Sequence, residues 1–521
     1  MTKQKFSIAK LYHERTKYDP ETINQRVPDI DWERPPVPFK DYPIGTRVDL
    51  KPHIGDRQTV LSRLSHLLYC TYGVTARIPQ IAQQDLLLRA APSAGGLYPA
   101  EVYVLSRGGD DLPAGRYNYQ VRDHSLVQFW DGDPGEALEA ACFGHPALKE
   151  APFIIVTTAV FFRSSWRYQD RAYRRIHLDT GHLLGNLDLA AALTNYRPYL
   201  IAGFDDRAVN ELLYLNPEEE GAIAVVALQE RQNAALELPL TTALASDADL
   251  DYPELPDGSL LGYLHQASAI EGAPESSSDS SAELGSQLSS QAIEDKYNFP
   301  FCTKVSTASS PLDWGVGGKA LEATLLQRRS TRAYDGDAEI ELEQVKALLN
   351  FAYQPQSLGR LSGNPPAASA TQGWEQPSLC DRSLIQTFIA TTAVAGLDDG
   401  CYYYAPQAQE LRQIRFKNFR RELHFLCLGQ DLGRDAAMVL FHTADLQGAI
   451  ARWGDRAYRY LHLDAGHLGQ RLNLAATYLR LGVSGIAGFF DDHVNDVLGI
   501  PPDEAVLYIT TIGQPRTTRR P

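Results

Sequence analysis

Residues 168–182 read Tyr168-Gln169-Asp170-Arg171-Ala172-Tyr173-Arg174-Arg175-Ile176-His177-Leu178-Asp179-Thr180-Gly181-His182. Residues 453–467 read Trp453-Gly454-Asp455-Arg456-Ala457-Tyr458-Arg459-Tyr460-Leu461-His462-Leu463-Asp464-Ala465-Gly466-His467. The offset is 453 − 168 = 285. It recurs between Gly115-x-Tyr117-x-Tyr119 and Gly400-x-Tyr402-x-Tyr404, between Ile201-Ala202-Gly203-Phe204 and Ile486-Ala487-Gly488-Phe489, and between Val209-Asn210 and Val494-Asn495. Apolar periodicity alone does not hold one spacing over such a length, so the chain contains an internal duplication.

The pattern around the first copy sets the fold class. Val60, Leu64, Leu67, Leu68 and Thr71 share one helical face. A loop, Ala91-Pro92-Ser93-Ala94-Gly95-Gly96-Leu97-Tyr98-Pro99, runs into the strand pattern 101–106. Residues 116–119 and 125–129 form a hairpin with Asp123 and His124 at its turn, and the apolar run 152–158 reads as a central strand. Leu183, Leu187, Ala190 and Thr194 mark a long helix; a short helix over 208–213 and a strand over 222–228 follow. Helices, hairpin, strand, long helix, strand make an α+β domain with an antiparallel-rich sheet. Two copies in one chain predict an intramolecular pseudo-dimer, with further homodimerisation left open. The expected boundaries are an extended, proline-rich arm over 1–55, a first domain over 56–265, a flexible Ser-rich linker over 266–317 centred on Ser276-Ser277-Ser278-Asp279-Ser280-Ser281, and a second domain over 318–521.

Composition narrows the function. A chain of 521 residues exceeds one ordinary core, and 44% hydrophobic residues allow two. The formal charge of −15 argues against a nucleic-acid or anionic-membrane partner. Six scattered cysteines without a C-x-x-C pair indicate neither zinc nor a disulfide framework, and Asp491-Asp492 reads as a helix N-cap region rather than a metal pair. No apolar run reaches membrane-spanning length and no signal core is seen, so a cytoplasmic, reduced protein is expected.

Against this acidic background the cluster Arg328-Arg329-Ser330-Thr331-Arg332 is a candidate anion site, with forked guanidinium donors and short hydroxyls matched to phosphate oxygens. Aligning Leu67-Leu68 with Leu348-Leu349 places Arg47-Val48-Asp49-Leu50-Lys51 opposite it, without a comparable cluster. Half two also ends in Gly513-Gln514-Pro515-Arg516, with Arg519 and Arg520 beyond. Half one keeps Pro92-Ser93-Ala94-Gly95-Gly96, where the offset places Pro377-Ser378-Leu379-Cys380-Asp381 in half two. One half retains the basic grip and the other the glycine loop. This is the pattern expected when a two-site dimer is fused and one site decays.

These motifs, with Tyr12-His13-Glu14-Arg15-Thr16-Lys17-Tyr18 and both Asp-x-Gly-His segments, resemble the FMN-dependent nitroreductase-like superfamily, and within it the SagB/ThcOx-type dehydrogenases. The resemblance implies one FMN per chain in a composite site. Half two would supply Arg328, Arg329, Ser330, Arg332, Ile486, Ala487, Gly488, and Arg516 or Arg519; half one would supply Pro92, Ser93, Ala94, Gly95 and Gly96. It implies dehydrogenation of a thiazoline or oxazoline ring in a peptide-derived or small-molecule substrate, with hydride passing to flavin N5. Related azoline oxidases carry Lys-Tyr where this chain has Arg167-Tyr168, which makes Tyr168 the candidate acid/base and Arg167 a charge able to lower its pKa. An NAD(P)H-dependent reductase and a decayed peptide- or protein-binding scaffold are the alternatives. The Asp-x-Gly-His pairs, present in both halves, are read as structural.

Overall fold

Seven strands of each half hydrogen-bond into one antiparallel sheet. The structure, a computed structural model, describes residues 6–25, 30–79, 85–109, 111–231, 241–272, 294–357 and 374–516. The first sheet comprises β1 (Thr46–Asp49), β2 (Ala100–Ser106), β3 (Gly115–Gln120), β4 (Ser125–Asp131), β5 (Phe153–Val160), β6 (Tyr196–Ile201) and β7 (Glu220–Glu230), in the order β1-β4-β3-β2-β5-β7-β6. The second comprises β8 (Lys304–Ser306), β9 (Gln386–Thr391), β10 (Gly400–Ala405), β11 (Glu410–Arg415), β12 (Met438–Asp445), β13 (Gly482–Ile486) and β14 (Glu504–Gly513). Its order, β8-β11-β10-β9-β12-β14-β13, repeats the first strand for strand. The expected hairpin is β3–β4, and the apolar run at 152–158 enters β5, flanked on both sides.

Period-two alternation assigns the faces. On β2, Val102 and Val104 join the core beneath the long helices, while Tyr103 and Leu105 join a second core on the opposite face. On β9, Ile389 and Phe388 divide in the same way. The first of these cores contains residues of both halves, so the two domains share one apolar interior.

That interior is built on two 22-residue helices, which we call α4 (Ala172–Leu193) and α6 (Ala457–Tyr478), after α1 (Ile8–Thr16), α2 (Val60–Tyr72) and α3 (Phe161–Tyr168), with α5 (Lys319–Gln327) between them. They cross at their glycines. A Cβ added to Gly181 would lie 2.2 Å from the Leu463 carbonyl oxygen, and one on Gly466 2.3 Å from that of Leu178. The Gly of each Asp-x-Gly-His segment therefore lets two backbones touch, the tight approach that small residues permit.

Ion pairs lock the same interface. Arg171 and Arg174 of half one reach Asp491 of half two at 3.0 and 2.7 Å. Offset by 285, Arg456 and Arg459 of half two reach Asp206 of half one, the latter at 2.6 Å. All six side chains are buried. Burial alone would raise both carboxyls, but the arginines hold them below the ordinary range. Asp491 is thus more than a helix start: it opens Asp491–Leu498 and also receives two guanidinium groups from the other half.

Three sequence expectations change. The arm contains α1, capped by Ser7, whose hydroxyl accepts from the Lys10 amide; the prolines begin only at Pro20. Its Tyr12 is fully buried, edge-on to Tyr173 and Tyr458 where α4 and α6 begin, whereas Trp32 remains exposed. Arg47 lies in β1, an edge strand whose topological counterpart is β8, so the 328–332 cluster is an insertion in half two and not the relative of 47–51. Of the proposed linker, the serine-rich centre lies outside the described residues; 304–306 within it form β8.

Candidate functional site

A cleft between the halves gathers most of the motifs. Pro92, Ser93, Ala94, Arg175, Leu178, Asp179 and His182 line it from half one; Ser330, Asn473, Gly485, Ala487 and Tyr508 line it from half two. The cleft measures about 80 Å³, and Gly95 and Gly485 at its edge are exposed.

Asp179 shapes the glycine loop. It accepts from the Ser93 hydroxyl at 2.5 Å and from the Ala94 amide at 3.1 Å, and Ser93 in turn accepts from the Tyr98 amide at 2.9 Å. Burial pushes the Asp179 carboxyl up to about 7, against the pull of those donors. The second half repeats the clamp: Asp464 accepts from the amides of Cys380 at 2.7 Å and Asp381 at 3.0 Å, and burial lifts it to about 7 as well. The Asp of each motif thus grips a loop and does not pair with the His three residues on. His182 Nδ1 donates to the Leu178 carbonyl at 2.8 Å, which leaves Nε2 to accept from Tyr508 at 3.2 Å. Burial holds this imidazole neutral, with its pKa lowered to about 4.

The arginine cluster divides its labour. Arg328 is buried and donates through Nε to the Ala90 carbonyl of half one at 2.7 Å. Its Nη1 is buried without a protein partner, and burial lowers the group to about 10. Arg329 donates to Thr75 of half one at 2.9 Å. The Thr331 hydroxyl accepts from the Val483 amide at 3.0 Å and so serves the end of β13. Ser330 lines the cleft, and Arg332 is exposed with no partner among the described residues. Two of the three arginines therefore stitch the halves together. Arg332, Ser330 and the free Nη1 of Arg328 remain to meet an anion, and this donor set fits a phosphate. Arg516 turns away from the cleft toward Asp435 at 3.6 Å, and Arg519 lies outside the described residues.

On the opposite wall Ile486 is buried, while Ala487 faces the cleft and Gly488 follows it. A Cβ on Gly95 would meet the Tyr168 hydroxyl at 2.8 Å, and Gly95 has φ +66°, so this close approach needs a residue without a side chain. Tyr168 thus stands over the glycine loop. Burial raises its phenol; Arg175 first and Arg167 second pull the other way, as expected of Arg167, but do not offset the burial. Arg167 is exposed, 5.8 Å from the Tyr168 ring, whereas Arg175 lies 3.9 Å from it. Arg175 was not singled out from the sequence, although the repeat carried the signal: the offset replaces it by Tyr460.

The mirror-image position in the other half is filled by the chain itself. Gly203 corresponds to Gly488 through the offset, and Leu244 packs against it, 2.4 Å from where a Cβ would be. Thr242 bonds across from the Cys380 carbonyl, at 2.8 Å, to the Gly203 amide, at 3.1 Å. Tyr460 donates to the Leu244 carbonyl at 2.8 Å, and Ser246 donates to Trp453, the counterpart of Tyr168, at 3.1 Å. The segment 241–246 therefore lies where the second site would have been.

Comparisons with known proteins agree with this architecture. A crystal structure of a provisionally named nitroreductase from Anabaena variabilis is 56% identical, superposes with a TM-score of 0.89, and is matched over 98% of this chain and 100% of that one. The Methanocaldococcus jannaschii protein provisionally named nitroreductase MJ1384 is 28% identical over 193 residues, 37% of this chain and 90% of that protein. Trifolitoxin-processing protein TfxB of Rhizobium leguminosarum bv. trifolii is 29% identical over 189 residues, 33% of this chain and 48% of that protein. Residues 62–228 and 325–514 each match the Nitroreductase family, and the chain belongs to that family twice over, as a tandem pair.

Proposed function

We propose that the chain is an FMN-dependent oxidoreductase that dehydrogenates a thiazoline- or oxazoline-type ring in a peptide-derived substrate. The observation that carries this reading is a cleft lined from both halves, with the unpartnered Arg328 Nη1 two residues from its Ser330 wall and the Tyr168 phenol against Gly95 of its loop. Bound there, FMN would supply a two-electron acceptor. Arg332, Ser330 and Arg328 would hold its phosphate, and Pro92 to Gly96 would let the backbone approach its ring. The amides of Ala487 and Gly488 are the donors positioned to stabilise developing negative charge. Tyr168, kept neutral by burial, would orient the substrate ring as a hydrogen-bond donor. Similarity to a trifolitoxin-processing protein supports a peptide-derived substrate. Similarity to a protein named as a nitroreductase favours the second reading, an NAD(P)H-driven reductase.

The test is the flavin spectrum and FMN content of the purified protein, beside Arg328→Ala/Arg332→Ala. One FMN per chain, lost in the double variant, is expected. Two per chain would end the single-site reading, and none after reconstitution would leave a binding scaffold. Anaerobic mixing with NADPH separates the two enzymes: bleaching within seconds identifies the reductase.

A further inference from the structure

Arg175 has phenols on both sides, and only one of them belongs to the motif with Tyr168. Tyr18 is carried beside Gly488, next to the cleft-lining Ala487, by the chain that leaves α1. Its amide donates to Asp491 at 2.9 Å, its carbonyl accepts from the Asp491 amide at 3.3 Å, and it bridges to Phe490 beside the Ala487-Gly488 wall. Arg171 lies 4.1 Å from its ring centroid. A Cβ on Gly488 would sit 3.9 Å from both Tyr18 Cε2 and Arg175 Nη2, so phenol and guanidinium meet at that glycine.

We propose, resting on the functional reading above, that Tyr18 is the proton acceptor of the dehydrogenation, taking the place left by the missing lysine. One substrate C–H bond would break with its electron pair passing to the bound flavin. The adjacent ring C–H would break with its proton passing to the oxygen of Tyr18 in its phenolate form, which becomes the phenol, and the carbon–carbon double bond forms between them. The substrate is oxidised, the flavin reduced, and Tyr18 returns its proton to water.

The surroundings supply the charge. Arg171, Arg174 and Arg175 face Tyr18; Tyr168 and the carboxylate of Asp491 face it as well, the latter already engaged by Arg171 and Arg174. Lys17 is engaged by Glu14 and Asp492. Burial alone would raise the Tyr18 phenol, but Arg175 and then Arg171 overcome it and bring it below the ordinary value. Tyr168 moves the opposite way, because burial prevails there. A phenol held low ionises more readily to the phenolate that accepts a proton, and one held high stays protonated to donate a hydrogen bond.

Ultraviolet difference titration of the full chain tests this without substrate. Wild type is expected to show one tyrosinate of its 26 tyrosines appearing before the rest. That step should vanish in Tyr18→Phe, persist in Tyr168→Phe, and move to higher pH in Arg175→Met. An early step that survives Tyr18→Phe, or that is missing from wild type, overturns the proposal. FMN content of the same samples separates the two claims. If no variant or wild type binds FMN, the functional reading falls whatever Tyr18 does. If Tyr18→Phe binds FMN normally but keeps the early tyrosinate, only the Tyr18 assignment falls.

Discussion

Arg328, Arg329 and Arg332 stand within five positions, yet their partners divide them. Arg329 is spent on Thr75 and Arg328 largely on Ala90, both in half one, while Arg332 has no partner among the described residues. Arg332→Ala should therefore weaken FMN binding by roughly 1.5–3 kcal/mol, the worth of a charge-assisted bond, which is about 10- to 150-fold in Kd. Fluorescence titration reads this, and the unfolding midpoint should hardly move. Arg329→Ala should do the reverse, lowering the midpoint with little change in Kd. A similar split separates Tyr168 from Arg167. Tyr168→Phe removes the hydroxyl above Gly95 and should reduce turnover at unchanged FMN content. Arg167→Ala, at an exposed position, should leave both nearly unchanged.

At the level of elements, the two Asp-x-Gly-His turns set the spacing of everything above them. Gly181→Ala or Gly466→Ala would drive a methyl into a facing carbonyl oxygen and should cost at least about 1–3 kcal/mol. Denaturant melts measure that directly. The loop clamps carry a pH signature. Asp179 and Asp464 are lifted to about 7, above their unfolded value, so the folded chain binds more protons than the unfolded chain between about pH 4 and 7. Stability from these groups is full below the unfolded pKa and is lost as pH rises through the folded one, at most roughly 4 kcal/mol for each. Comparing melts at pH 5 and pH 8, the Asp179→Asn/Asp464→Asn variant should lose less stability across the interval than wild type.

For the whole molecule, the reciprocal arginine–aspartate pairs make each half dependent on the other. Asp206→Ala or Asp491→Ala leaves two buried guanidinium groups without their carboxylate and should cost about 3–5 kcal/mol, read from the unfolding midpoint. The pairing also marks what a sequence can and cannot disclose. The duplication, the α+β class and the complementary loop and arginine motifs were legible because each is a local pattern or a constant offset. The role of Asp491 was not, because its partners lie 317 and 320 positions away and only the crossing of the two long helices brings them together. Arg175 was legible only in retrospect, as the one arginine of its segment that the repeat replaces with tyrosine. That the aspartates of the two turns grip loops was not legible either, since helical spacing places each beside its histidine but does not give the direction its carboxylate takes.

The filled mirror position turns the duplication into a ratchet. Two first halves brought together would each present the segment with Leu244 and no arginine grip. Two second halves would each present the grip and no glycine loop. On the proposed reading neither recombination would restore an FMN site, and neither would removing the obstruction: Leu244→Ala should still leave one FMN per chain. Severing the chain between its halves could return, at best, the same unequal couple. A symmetric ancestor can be inferred from this molecule, but the molecule has no simple way back to it.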